Sequence, residues 1–113
     1  MVKLDISPEA RNDLLEIKKY ITEEFDSPSA AINTVAKITK AIRRLTHFPE
    51  MGAPLSSIVD LQTDYRFIVC GNYLVFYGHK GGAVTVIRIV YGKRDYMKFL
   101  FGDAPDSRLD TEE

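Results

Sequence analysis

The stretch from residue 65 to residue 96, YRFIVC-GN-YLVFY-GH-KGG-AVTVIRIVYGKRDY, decides the fold of this chain. It contains three short runs rich in β-branched and aromatic residues, at 65–70, 73–77 and 83–91. Gly71-Asn72 separates the first two runs, and Lys80-Gly81-Gly82 precedes the third, and both are typical of tight hairpin turns. The stretch therefore predicts a three-stranded antiparallel meander.

The residues before this meander predict one strand and two helices. Val2 to Ile6 alternate between apolar and polar, the period of a half-buried strand. Ser7-Pro8 and Ser27-Pro28 each combine a capping hydroxyl with a proline suited to the first helical position. Each is followed by apolar residues at spacings of three and four, which make one buried stripe. The stripes are Ala10, Leu14, Ile17, Ile21 and Phe25, then Ala31, Val35, Ile38, Ile42 and Leu45.

These elements predict an α+β fold: an N-terminal strand, an antiparallel two-helix hairpin and the meander. Residues 46–64 contain Pro49, Gly52 and Pro54 without periodicity, which predicts a loop. Residues 93–101 predict a short C-terminal helix. We expect a single domain over residues 1–102, followed by a disordered acidic tail over residues 103–113. One sheet face should bury against the helices, and the other should stay at least partly open.

The composition is that of an ordinary globular protein, with 113 residues and a net charge of −1. A single cysteine, Cys70, excludes an internal disulfide framework and is best interpreted as a buried, inert thiol. The sequence has no signal peptide and no apolar run long enough for a membrane span, which predicts a cytoplasmic protein.

Charge is unevenly distributed along the chain. Between residues 66 and 98 there are six basic residues and one acid, Asp95, whereas the tail carries five acids and one arginine. A basic, tyrosine-rich sheet on a nearly neutral protein suggests a surface for phosphate or an acidic partner. The basic residues are Arg66, Lys80, Arg88, Lys93, Arg94 and Lys98.

Arg88 is the most informative single residue, because it stands within the apolar third strand. Strict alternation places Ile87 and Ile89 on one face, and Val86, Arg88 and Val90 on the other. If the isoleucines face the helices, Arg88 stands on the open face. It is then either a fixed guanidinium for a phosphate or carboxylate, or a structural arginine paired with an acid or a carbonyl.

Two further groups are candidates for binding. Lys93, Arg94 and Tyr96 follow Gly92 at the exit of the third strand, and could hold a phosphodiester and stack on a base. The alternative is a capped turn with solvated charges. His79, beside the second turn, is a further candidate, with a general-base role as the minor interpretation. His47 and His79 lack ligand spacing with a second His or Cys, so no metal site and no cofactor are predicted.

The order of elements, together with NYLVFY at 72–77 and IVYGKRD at 89–95, resembles the RelE/ParE superfamily of bacterial toxins. The resemblance spans about residues 2–101. It implies the toxin of a type II toxin–antitoxin pair, whose partner is a small antitoxin that wraps the toxin. It also implies one of two targets. RelE-like members cleave mRNA on the ribosome without a metal, and ParE-like members inhibit DNA gyrase and are not nucleases.

The match to the two branches differs residue by residue. Gly92-Lys93-Arg94 matches the terminal basic motif, whose last arginine stabilises phosphate charge in RelE-like enzymes. Leu74 follows Tyr73 where those enzymes carry a catalytic arginine, and residues 60–64 lack their lysine pair. Arg94, Arg88 and Arg66 remain the catalytic candidates for an RNase, but no clear base is evident. The resemblance therefore favours gyrase inhibition, with an mRNA endoribonuclease and a non-toxic binding module as alternatives.

Overall fold

The computed structural model describes residues 2–57 and 62–92. In chain order, its elements are β1 (Lys3–Ile6), α1 (Pro8–Phe25), α2 (Pro28–Arg44), β2 (Ala53–Pro54), a 3₁₀ turn (Leu55–Ser57), β3 (Arg66–Cys70), β4 (Tyr73–Lys80) and β5 (Ala83–Tyr91). The predicted strand, helical hairpin and meander are all present, which confirms the α+β fold. The predicted C-terminal helix and acidic tail lie outside the described residues.

Both helices begin where the capping signals predict. The Ser7 hydroxyl accepts a hydrogen bond from the Ala10 backbone N–H at 3.0 Å, and the Ser27 hydroxyl accepts one from Ala30 at 3.2 Å. In each helix the proline occupies the first turn, where a missing N–H is harmless. A short link through Asp26 joins the helices.

The five strands form one mixed sheet in the order β1-β5-β4-β3-β2. β1 pairs parallel to β5, and the remaining pairs are antiparallel. β2 lies within the segment predicted as a loop. Its two residues, Ala53 and Pro54, are too few to show a strand period, and proline is tolerated there because β2 pairs on one side only among the described residues.

A β-bulge interrupts the pairing of the two longest strands. Phe76 is opposite Arg88, but the next residue, Tyr77, is opposite Val86, so Ile87 has no partner on β4. The extra residue reverses the alternation of β5 at this point. Val86 and Ile89 therefore both belong to the core that faces the helices. The prediction that Val86 shares a face with Arg88 was wrong for this reason.

The main core lies between the helical hairpin and one face of the sheet. It joins α1 and α2 to β3, β4 and β5 through side chains that are almost fully buried. These are Ala10, Ile38, Ile42, Leu45, Ile68, Val75, Tyr77, Val84, Val86 and Ile89. Cys70 is half-buried against this core.

Tyr77 and Arg66 fix the loop after α2 to the sheet. The Tyr77 hydroxyl accepts a hydrogen bond from the Gly52 N–H at 3.0 Å and donates one to the Pro49 carbonyl at 2.8 Å. The Arg66 guanidinium donates to the Gly52 carbonyl at 2.7 Å and to the Glu50 carbonyl at 3.3 Å. A Cβ on residue 52 would lie 2.7 Å from the Tyr77 hydroxyl oxygen, so this position requires glycine.

We expect Tyr77→Phe to lower the free energy of unfolding by about 1–3 kcal/mol, because it leaves a buried N–H and a carbonyl without their partner. Urea denaturation measures the change. Tyr65→Phe is the matched control, because Tyr65 is half exposed, and it should change stability by less than about 0.5 kcal/mol. Equal effects of the two substitutions would contradict the role assigned to the Tyr77 hydroxyl.

Alkaline pH should weaken the fold through the same hydroxyl. Burial raises the pKa of Tyr77, although the hydrogen bond from Gly52 and the charge of Arg66 partly oppose this. Because the pKa of Tyr77 is higher in the folded state than in the unfolded state, its protonated hydroxyl stabilises the fold. This contribution to the free energy of unfolding is complete below the unfolded-state pKa of about 10. It is lost as pH rises from there through the folded pKa. Unfolding measured above pH 10 should therefore be less pH-dependent in Tyr77→Phe than in the wild type.

Candidate functional site

The sheet face turned away from the helices carries a second apolar cluster. Leu74, Phe76 and Val90 are buried there beside Leu55 of the 3₁₀ turn, and Phe67 packs against them. Val69, on the same face of β3, remains 65% exposed. The face expected to be open is therefore open only in part, and its centre is hydrophobic.

Arg88 stands on this second face but reaches around the edge of the sheet. Its Nε and Nη2 atoms donate to the Asp13 carboxylate of α1 at 2.8 and 3.0 Å. The same carboxylate accepts a hydrogen bond from the Ile89 N–H at 2.9 Å. The Asp13 side chain is largely buried, at 13% exposed, whereas that of Arg88 is 34% exposed. This arrangement matches the structural interpretation of Arg88, an arginine paired with an acid.

The carboxylate of Asp13 also fixes the charge state of its partner. Its hydrogen bonds raise the pKa of Arg88 despite the opposing effect of burial, and the negative charges of Asp13 and Glu9 act in the same direction. The guanidinium therefore stays charged at any physiological pH. Sequence reasoning missed Asp13. The only signal was an acid beside Leu14, at the margin of the apolar stripe of α1.

The other described candidates do not lie together with Arg88. Arg66 is opposite Tyr77 and so lies on the helix-facing side, where it binds the loop carbonyls. His79 is opposite Val84 and is half-buried on that same side, whereas Lys80 is exposed at the β4–β5 turn. The predicted single basic face is therefore not formed by the described residues. Lys93, Arg94, Tyr96 and Lys98 lie outside them.

Three tyrosines come together at the other end of the sheet. The rings of Tyr73 and Tyr91 meet edge to face, with centroids 5.3 Å apart. Burial raises the pKa of Tyr73, and the proximity of Tyr91 and Tyr20 raises it further. Tyr20 and Tyr91 are both more than half exposed. This cluster was not predicted, because its members come from α1, β4 and β5.

The described part of the chain has neither a metal-binding cluster nor a membrane-spanning helix. Within residues 2–57 and 62–92, no three His, Cys, Asp or Glu side chains are grouped so that they could hold a metal ion. No helix among these residues is both long and apolar enough to span a membrane.

The family model described as the ParE toxin of the type II toxin–antitoxin system parDE matches residues 4–96. This chain belongs to the ParE toxin family. It is thus the toxin of a type II toxin–antitoxin system, as the resemblance predicted.

Solved structures share the fold of this toxin. One, from the chromosomal ParDE toxin–antitoxin system of P. aeruginosa, has a TM-score of 0.68 and 22% identity, and the match covers 82% of this chain and 98% of that one. Another, YafQ from E. coli strain BL21(DE3), has a TM-score of 0.50 and 16% identity over 90% of this chain and 100% of that one. The comparison with curated proteins gives no significant match.

We expect Asp13 and Arg88 of the toxin to stabilise the fold jointly. Asp13→Ala and Arg88→Ala should each lower the free energy of unfolding by about 1–3 kcal/mol, because the first removes the partner of the Ile89 N–H and the second leaves the largely buried Asp13 carboxylate without its cation. In a double-mutant cycle, the coupling energy should be about 0.5–3 kcal/mol. Glu16→Ala, at an exposed position of the same helix, is the control and should be nearly neutral. Additive losses would show that the pair does not act as a unit.

Proposed function

We propose that this toxin arrests growth by inhibiting DNA gyrase in the bacterial cytoplasm, and that it does not cleave mRNA. The observation that carries the proposal is the position of Leu74. The RelE-like pattern has a catalytic arginine there, but in this chain the side chain is 8% exposed within the second apolar cluster. A charged group at this site would have to be buried among Phe76, Val90 and Leu55.

The chemistry of RNA cleavage supports the same choice. Without a metal, the reaction needs one group to take the proton of the 2′-hydroxyl and others to stabilise the developing phosphorane charge. Among the described residues, the second face carries the cations Lys3, Lys80 and Arg88, and Arg88 is engaged by Asp13. His79, the one histidine of the meander, is on the opposite face. On the described part of this face, the register places one carboxylate, Asp5, exposed on β1 at the end of the sheet and paired opposite Thr85 rather than with Leu74 or Arg88.

The proposed contact surface for the target is Lys93, Arg94 and Tyr96. Lys93 and Arg94 match the terminal basic motif of the superfamily, and Tyr96 follows two residues later in the sequence. In this proposal, Arg66 and Arg88 serve the fold through the loop carbonyls and Asp13, and Lys80 and His79 are secondary contacts. In this proposal the toxin domain comprises residues 1–102, followed by the acidic tail at residues 103–113.

Growth arrest and its cause can be measured together. Expression of the toxin from a tightly controlled promoter should stop growth and induce the DNA-damage response, while primer extension finds intact mRNA. The purified toxin should inhibit supercoiling by gyrase. Arg94→Ala should reduce both effects at least tenfold. Arg108→Ala, the same change in the tail, is the matched control and should leave both unchanged.

The alternatives give different results in the same experiment. Codon-phased cuts in cellular mRNA, with gyrase unaffected, would establish the endoribonuclease and overturn the proposal. Normal growth at high expression of folded protein would instead favour a non-toxic binding module. If Arg94→Ala also lowers the melting temperature, then Arg94 is structural and the contact surface lies elsewhere.

A further inference from the structure

The solvent face of α2 is basic along its whole second half. The helix contains no acid, and its four cations are all exposed. Lys37, Lys40 and Arg44 are spaced by three and four residues, so they line one face over about 10 Å of helix. Among the described residues, none of the four cations forms a salt bridge. They are Lys37, Lys40, Arg43 and Arg44.

This basic face ends at an open apolar depression. The depression has a volume of about 600 Å³ and is lined by Arg44, Phe48, Pro49, Glu50 and Met51. Phe48 is 63% exposed and Met51 46% exposed. Large apolar side chains that remain exposed next to one another on a small protein mark an interaction site more often than chance placement does.

The loop that forms the depression is held in place from below. Tyr77 binds the Pro49 carbonyl, and Arg66 binds the carbonyls of Glu50 and Gly52. The shape of the depression is therefore fixed before anything binds. A preformed site loses little entropy on association, and so favours affinity.

We propose that the basic face of α2 and the depression beside it together dock an acidic segment of the antitoxin, with an apolar side chain of that segment anchored between Phe48 and Met51. The proposal rests on the assignment of the chain as a type II toxin. Charge complementarity identifies the occupant, since four exposed cations on a helix that contains no acid attract a negative chain. The apolar lining of the depression favours a peptide with an apolar side chain over a nucleic acid, whose phosphates would gain nothing from it.

The two parts of the surface should act differently. An apolar anchor in a preformed depression provides most of the binding free energy and slows dissociation. Charges along α2 steer the encounter, so they raise the association rate and make it sensitive to salt.

The test uses the full-length toxin and the product of the small reading frame adjacent to its gene. Phe48→Ser should weaken the complex at least tenfold, mainly through faster dissociation. Lys40→Glu combined with Arg44→Glu should slow association at least tenfold in low salt and flatten its salt dependence. Lys18→Glu combined with Lys19→Glu makes the same charge change at exposed positions of the other helix, α1, and is the matched control. Circular dichroism confirms that each variant is folded.

The outcomes distinguish an error in the proposed docking surface from an error in the assignment of the protein as a toxin. If the α2 and Phe48 variants bind the antitoxin like the wild type, the docking surface is wrong, whereas growth arrest by the wild type alone still supports the toxin. If the α1 control weakens binding equally, the effect is general charge and the surface is again wrong. If wild-type toxin binds duplex DNA and only the α2 variants lose it, the surface is for nucleic acid and the proposal is overturned.

Discussion

On the side of β1, the outer half of β5 has no neighbouring strand among the described residues, and the start of α1 supplies hydrogen-bond partners there, while β4 pairs with the other side. β1 ends at Ile6, opposite Val86, while β5 continues to Tyr91. Beyond that point, the Ser7 hydroxyl donates to the Ile87 carbonyl at 2.9 Å and Asp13 accepts from the Ile89 N–H. A buried, unsatisfied backbone group is destabilising, so the length mismatch between two strands fixes where α1 must lie.

The position of α1 determines both faces of the sheet. With α1 tied to the edge of β5, the helical hairpin covers the face that carries Val84, Val86 and Ile89. The bulge at Ile87 then moves Arg88 to the other face, at the edge where Asp13 can reach it. Without that extra residue, strict alternation would group Val86 with Arg88 and remove an apolar side chain from the main core. The bulge therefore places Val86 in the main core and Arg88 within reach of Asp13 at the same time.

The sequence predicts those features that depend on neighbouring residues. Ser7 and Ser27 each bond a residue three positions away, and the two turns of the meander lie within a few residues of the strands they join, so these elements could be located in advance. The contacts of Asp13 with Arg88 and of Tyr77 with Gly52 join residues 75 and 25 positions apart. They depend on strand order and register, which no local pattern contains. The bulge escaped prediction for the same reason, because it is a property of β4 and β5 together. The same limit applies to the candidate site. The basic residues could be identified from the sequence, but the sequence did not predict that they lie on opposite faces of the sheet.

The hydrophobic centre of the second sheet face also limits which side chains can replace Leu74. An arginine at this position would enter a cluster with Phe76 and Val90 and lose its hydration. The neighbours would have to become polar, and the 3₁₀ turn that carries Leu55 would have to move aside. Each single substitution would carry part of this destabilisation. Position 74 can therefore accept a charged side chain only together with changes at its neighbours.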